Sequence, residues 1–367
     1  MHYPKFKPIV LIFILITSFI SYAQELYSYQ PPQKKTDGWL TKSLIAESVN
    51  VSLIEKLINQ LTTGKHKIDS TLLIKDGHLV FEHYFGKNDM DQQHDLRSVT
   101  KSIRALLMGI AIDKGYIDDI NDPVFKYLKS HQVKKNQDQR KQKLTLKHLL
   151  TMSTGLECND WDKKSKGQED RIYKKKDWIQ STLDLPVINE PGEAAFYCSM
   201  GSLLVAEVIA QASGMGIDVF AEKHLFKPLG INNYSWGHTS RKKNVLPSGK
   251  RLYMTTRDLA KLGQLVLQQG QWQGKQIVST SWVEQATTPQ VKLANADYGF
   301  FWWNIPFGFD GLKYTAKTAT GNGGQYIFVF PSLNVVAAFT GSAYNSAEDK
   351  LPFAVIRDIY LPTVVRN

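Results

Sequence analysis

The sequence predicts an α+β fold in which one antiparallel sheet, built from both ends of the chain, is flanked by helices and interrupted by a mainly helical lobe. Three observations predict it. Strand-like runs occur at 71–75 and 79–85, and again at 298–303, 326–330 and 335–340. The 109–270 stretch between them carries apolar residues mainly at helical spacing. No internal repeat or low-complexity tract divides the 367 residues, so one two-lobed unit is expected rather than two independent domains.

Taken in order, residues 1–23 read as an export leader: basic Lys5 and Lys7, an apolar core over 9–20, then Ser21-Tyr22-Ala23 as a small-residue cleavage site. A periplasmic or secreted protein is expected. The apolar core is short for a transmembrane span, and an uncleaved inner-membrane anchor is the alternative. Residues 24–50 form a polar extension containing Pro31-Pro32 and Lys34-Lys35. Helical spacing over 51–61 is followed by two strand runs around Asp76-Gly77, a β-hairpin signal. A further helix starts at Ser98, with Ile103, Leu106, Leu107, Ile110 and Ala111 on its apolar face and Gly115 as its stop.

The sheet lobe is therefore assigned to 51–108 and 274–367, and the helical lobe to 109–273. Within the helical lobe, loops are expected at Asn121-Asp122-Pro123, around Lys163 and at Pro191-Gly192. The last section adds a short strand at 276–278, a helix at 281–286, the three strand runs and a closing helix over 347–359.

The formal net charge is +11, falling to +9 without the leader, which carries two lysines and no acidic residue. The excess lies in Lys134, Lys135, Arg140, Lys141 and Lys143, and in Lys163, Lys164, Lys166, Arg171 and Lys174 to Lys176. Such runs read as solvated faces that could associate loosely with an anionic envelope surface. They lack the aromatic interleaving of a nucleic-acid interface, so no nucleic-acid partner is expected. The only cysteines are Cys158 and Cys198. In an oxidising compartment they could close a loop worth roughly 4 kcal/mol in the chain-entropy account; two unpaired buried thiols are the alternative.

Three segments carry candidate chemistry. Ser98-Val99-Thr100-Lys101 places a hydroxyl and an amine on one helix face, where lysine could take the proton as serine attacks a carbonyl. The helix N-terminus favours negative charge at the Ser98 N–H, suiting half of an oxyanion hole. Taken alone, the motif is weak and reads first as an N-capping serine with a solvated lysine. Tyr197-Cys198-Ser199 stands at the start of another amphipathic helix, and its phenol could relay a proton beside an ammonium. Thr320-Gly321-Asn322-Gly323-Gly324-Gln325 precedes an apolar strand; glycines there permit close approach of a substrate to the backbone.

In this order and spread over most of the chain, the three segments resemble the penicillin-recognising serine hydrolases. The likeness is greatest to the class C β-lactamase-like branch, with its esterases, D-amino-acid peptidases and aminohexanoate-oligomer hydrolases. The 144–156 segment around Thr151-Met152-Ser153-Thr154-Gly155 and the 225–231 segment extend the resemblance. It implies the β-lactamase/penicillin-binding-protein fold, with Ser98 as acylated nucleophile, Lys101 as its basic partner and Tyr197 as general base and acid. By the same resemblance the backbone N–H groups of Ser98 and Gln325 form the oxyanion hole, while Ser199, Asn322, Gly323 and Gly324 line the substrate pocket.

Two departures bear on substrate. Ser199 stands where the family's tyrosine motif often ends in asparagine, so an amide that would contact an acylamino group is missing. Asn322-Gly323-Gly324 aligns with the family's Lys-Thr-Gly, which removes a cation for a substrate carboxylate; the charge-assisted contact is worth around 1.5–3 kcal/mol. Lys317-Thr318-Ala319 lies upstream and lacks the glycine.

The resemblance therefore implies an exported serine hydrolase of small-molecule or peptide-like esters or amides. A β-lactamase or D-alanyl carboxypeptidase is the alternative, and a non-catalytic binding protein the third. No metal or cofactor is implied: His-Glu-x-x-His is absent, and so is the Gly-x-Ser-x-Gly of α/β-hydrolases. Trp236, Trp302 and Trp303 are candidates for a cleft wall or for core. His148 and His238 stand in no recognisable constellation, and the oligomeric state is not legible.

Overall fold

The computed structural model describes residues 26–237 and 251–365. The proposed leader and His238 lie outside the described residues. Nine strands form the main sheet: β1 (Leu40–Thr41), β2 (Ile68–Lys75), β3 (His78–Tyr84), β4 (Val291–Leu293), β5 (Ala296–Tyr298), β6 (Trp303–Phe309), β7 (Leu312–Gly321), β8 (Gln325–Phe330) and β9 (Val335–Gly341). Their spatial order is β1-β3-β2-β9-β8-β7-β6-β5-β4, so the two ends of the chain meet where β2 pairs with β9.

All pairings are antiparallel except at one edge, where β1 runs parallel to β3. The extension before residue 50 is thus part of the fold. Tyr29 is buried and donates its hydroxyl to the Val80 carbonyl at 2.7 Å. Arg257, buried, donates to Asp37, the Gln33 carbonyl and both oxygens of Glu82.

The sheet is covered on both faces, which explains why β8 reads as an unbroken apolar run. Tyr326, Phe328 and Phe330 face one core with Ile54, Leu57 and the C-terminal helical turns. Ile327 and Val329 face the other, larger core with the helices. Those helices include α1 (Ser52–Thr63, on the first core), α2 (Val99–Asp113), α3 (Ser199–Ser213), α4 (Thr256–Leu267) and α5 (Thr280–Thr287). None of the described helices is by itself long and apolar enough to cross a membrane.

Three elements differ from the sequence expectation. The run 298–303 is a bend rather than a strand: β5 ends at Tyr298, and Gly299 donates back to Trp302 before β6 begins. Helix α4, counted by its spacing with the helical lobe, packs on β2, β8 and β9. Lys141, counted in a solvated basic run, is buried and donates its amine to the Leu183 carbonyl at 2.8 Å.

Candidate active site

Ser98 occupies the N-cap of α2, yet its hydroxyl makes no capping bond. It accepts instead from Lys101 Nζ at 2.8 Å. That contact distinguishes the segment from an ordinary capped helix start, because a capping serine would turn its oxygen to the backbone of the first turn. The approach to Ser98 is fixed from behind. Leu96 donates to the Leu252 carbonyl at 2.9 Å, and Arg97 adopts φ 49°, a strained conformation for a long side chain. Arg97 is held by Asp95 at 3.0 Å and lies 4.5 Å from the centre of the Tyr344 ring.

The β7 strand ends against this segment. A Cβ on Gly321 would stand 2.5 Å from the Leu96 carbonyl oxygen, so only glycine lets the strand come this close. Strand β6 stops at Trp303, opposite Thr318, leaving residues 319–321 of β7 paired with β8 on one side and with no strand on the other. This edge without a partner strand lies beside the segment leading into α2, where Gly321 approaches Leu96 and Arg97.

Gln325 is not on that edge. It opens β8, which lies between β7 and β9, and its backbone pairs with Gly321 inside the sheet. Its side-chain amide is tied to the Gly341 carbonyl. The backbone of Gln325, expected from the sequence to supply an oxyanion N–H, thus lies within the sheet between β7 and β9.

Tyr197 sits in the loop entering α3. Lys101 Nζ lies 5.0 Å from its ring centre. One ring face stacks on Trp161 at 5.0 Å with 5° between planes, and Trp303 lies nearly parallel at 6.2 Å. The fold thus brings Ser98, Lys101 and Tyr197 together from segments about a hundred residues apart. Trp161 is 57% exposed, giving this aromatic stack a solvent-facing surface. Of the three tryptophans named from sequence, only Trp303 belongs here: Trp302 is buried in the core, and Trp236 stacks on Phe226.

The remaining expected pocket residues are placed as follows. Ser199, buried, begins α3 and donates its N–H to Asp160 Oδ2 at 2.7 Å. Asn322 is engaged with Asn345 through two bonds, at 2.7 and 2.9 Å, and Gly323 pairs with Ala343. Gly323 and Gly324 have φ of 96° and 97°, which makes the tight β7–β8 turn. Lys317 donates its amine to Thr287 Oγ1 at 2.7 Å, at the end of α5, and burial lowers its pKa. His148 completes a capping box with Thr145.

Cys158 and Cys198 form a disulfide, with Cα atoms 5.5 Å apart. The bridge lays the 158–161 loop against the tyrosine loop and brings in residues that sequence reasoning missed. Asp160 accepts from Ser199 N–H and, through Oδ1, from Glu169 N–H at 3.0 Å, while its own N–H donates to the Tyr197 carbonyl. Burial, reinforced by Glu169, raises its carboxyl pKa to about 6 against the opposing pull of Lys101 and Ser199. A signal was present: Cys198 adjoins Tyr197, so pairing the cysteines would have put residues 160 and 161 beside the phenol. Among the described residues no group of three or more His, Cys, Asp and Glu side chains could hold a metal ion.

Comparison with known proteins bears on the fold and the family. The chain aligns over 185 residues with penicillin-binding protein 4* of Bacillus subtilis at 26% identity, covering 46% of this chain and 38% of that protein. Its fold is similar to that of a Bacillus anthracis protein assigned as a 6-aminohexanoate-dimer hydrolase, with TM-score 0.66 and 20% identity over 82% of this chain and 80% of the other. It is also similar to EstCE1, a hydrolase with promiscuous acyltransferase activity, with TM-score 0.62 and 13% identity over 79% and 93%. A sequence model of the Beta-lactamase family matches residues 54–360, nearly the whole span from α1 to the C-terminal helices. The chain therefore belongs to the beta-lactamase-fold family of serine hydrolases.

Proposed function

We propose that the protein hydrolyses a neutral carboxylic ester or amide through an acyl-enzyme on Ser98. The observation that carries this reading is the Lys101–Ser98 contact at 2.8 Å, made at a helix N-terminus and facing the open end of β7. Ser98 Oγ attacks the carbonyl carbon while its proton passes to the Lys101–Tyr197 pair. The oxyanion is received by the Ser98 N–H and by an amide at the free end of β7. Collapse breaks the bond to the leaving group, which takes the proton; water then attacks the acyl carbon by the same route in reverse and frees Ser98.

The charge pattern supports a neutral substrate. Lys317 turns its amine to Thr287 Oγ1, and Asn322 is a neutral amide bonded to Asn345, so neither position presents a cation to a substrate carboxylate at the β7 end. The exposed face of Trp161 would pack against an apolar or planar group. The β-lactam and D-alanyl peptide reading has support from the penicillin-binding relative and ranks second for want of that cation. Export is supported by the disulfide, which persists in oxidising compartments.

The purified protein should hydrolyse p-nitrophenyl butyrate faster than nitrocefin, and Ser98→Ala should abolish the activity. Turnover of nitrocefin alone would reverse the order of substrates, and full activity in Ser98→Ala would end the acyl-Ser98 reading.

A further inference from the structure

We propose that Asp160 is a positioning residue for the reacting group: a carboxylate that holds the backbone carrying Tyr197 and Ser199 and so sets the phenol ring 5.0 Å from the Lys101 amine. This rests on Ser98, Lys101 and Tyr197 being the reacting side chains.

The stitching is local and complete. Residues 158–160 are tied to 197–199 three times: by the disulfide, by the Asp160 N–H to the Tyr197 carbonyl at 2.8 Å, and by the Ser199 N–H to Asp160 Oδ2 at 2.7 Å. The other carboxylate oxygen is occupied by the Glu169 N–H. Both oxygens are thus bonded to neutral backbone amides, which fix the carboxylate in place beneath the tyrosine loop.

Charged and titratable groups stand on several elements around Asp160, of which Glu169, Lys101 and Ser199 act on its carboxyl. Helix α2 brings Lys101 and, one turn on, the fully buried Arg104, whose guanidinium donates to Ser202 on α3. The 169–173 turn brings Glu169 and Tyr173, whose hydroxyl donates to Glu169 Oε2 at 3.2 Å. Helix α3 contributes the Ser199 N–H and hydroxyl. A carboxylate placed among apolar neighbours is costly unless a cation answers it. The Lys101 side chain, bonded to Ser98, and the Ser199 N–H and hydroxyl are what favour the charged carboxylate here. Burial and Glu169 hold Asp160 near a pKa of about 6, so the anchor is charged at neutral pH and discharged on mild acidification.

The test compares wild type, Asp160→Asn, Asp160→Glu and Ser98→Ala on p-nitrophenyl butyrate between about pH 5 and pH 8. Asp160→Asn should lower kcat by about tenfold to a hundredfold with KM within about twofold, since misplacing a reacting group costs on that order. The acid limb of wild-type kcat near pH 6 should flatten in Asp160→Asn and persist in Asp160→Glu, with partial recovery of rate. Wild-type kcat and an unchanged acid limb in Asp160→Asn, with Ser98→Ala inactive, overturn the role of Asp160 and leave the hydrolase reading intact. Activity in Ser98→Ala overturns the hydrolase reading instead. Should Asp160→Asn fail to fold, the wild-type profile decides: a kcat flat across that pH range overturns the proposal.

Discussion

At the scale of residues, Ser98 and Lys101 were legible because three positions along a helix fix their relation without any tertiary information. Lys101→Met should therefore lower kcat by about a thousandfold, within the range for losing an acid–base group, while leaving the fold intact by circular dichroism. Near-normal turnover would remove the amine from the chemistry. Tyr197 was legible only as a candidate, since the fold alone sets it 5.0 Å from the amine. Trp161 and Asp160 carried no periodicity or motif, and only closure of the disulfide loop shows what they touch. Trp161 holds one face of the Tyr197 ring, a stacking contact worth about 0.5–1.5 kcal/mol. Trp161→Ala should cut kcat/KM by roughly fivefold to tenfold, which steady-state kinetics on the butyrate ester will show. An unchanged value would mean that the stack is ornamental to catalysis.

Among the elements, those with strong patterns lie close to where the sequence puts them: the hairpin of β2 and β3, helix α2, and the apolar strands β8 and β9. The misplacements share one cause, which is that periodicity reports burial and not the partner. Helix α4 has a sound amphipathic pattern that says nothing about whether a sheet or another helix covers it. Gln325 opens a strand flanked by its own chain neighbours β7 and β9, and its apolar run reports burial without saying that both of its backbone edges are paired. The disulfide is the element-scale device with the largest consequence. Replacing both cysteines by serine should lower stability by about 4 kcal/mol on the loop-entropy account and reduce kcat through the loosened 158–161 loop. Denaturant melts with parallel turnover assays will read both. A stable double variant with full activity would show that the loop holds its shape unaided.

For the whole molecule, the α+β plan and a main sheet built from both ends of the chain were readable from the order of strand and helix patterns. The parallel β1 edge and the embedded N-terminal extension were not, because proline and charge in that stretch resemble a linker. What holds the extension is Arg257, reaching from α4 to Asp37 and Glu82, a long-range ion cluster that no local pattern announces. Global stability should also report Asp160. Its carboxyl titrates near 6 when folded and near its ordinary value of 3.8 when unfolded, so the folded state binds the proton more tightly. This group therefore contributes stability at low pH that is lost as pH rises from about 4 through about 6, on the order of 2–3 kcal/mol. The wild-type stability relative to Asp160→Asn should fall across that window in denaturant titrations. A constant gap would mean that the carboxyl is not perturbed by its site.

The catalytic expectations depend on a single covalent event, the acylation of Ser98 with Lys101 as its partner. The direct measurement is intact-mass analysis and peptide mapping after treatment with a fluorophosphonate. The structure predicts one adduct on the peptide containing Ser98, absent in Ser98→Ala and formed far more slowly in Lys101→Met. An adduct on another residue, or equal labelling of wild type and Ser98→Ala, would contradict it.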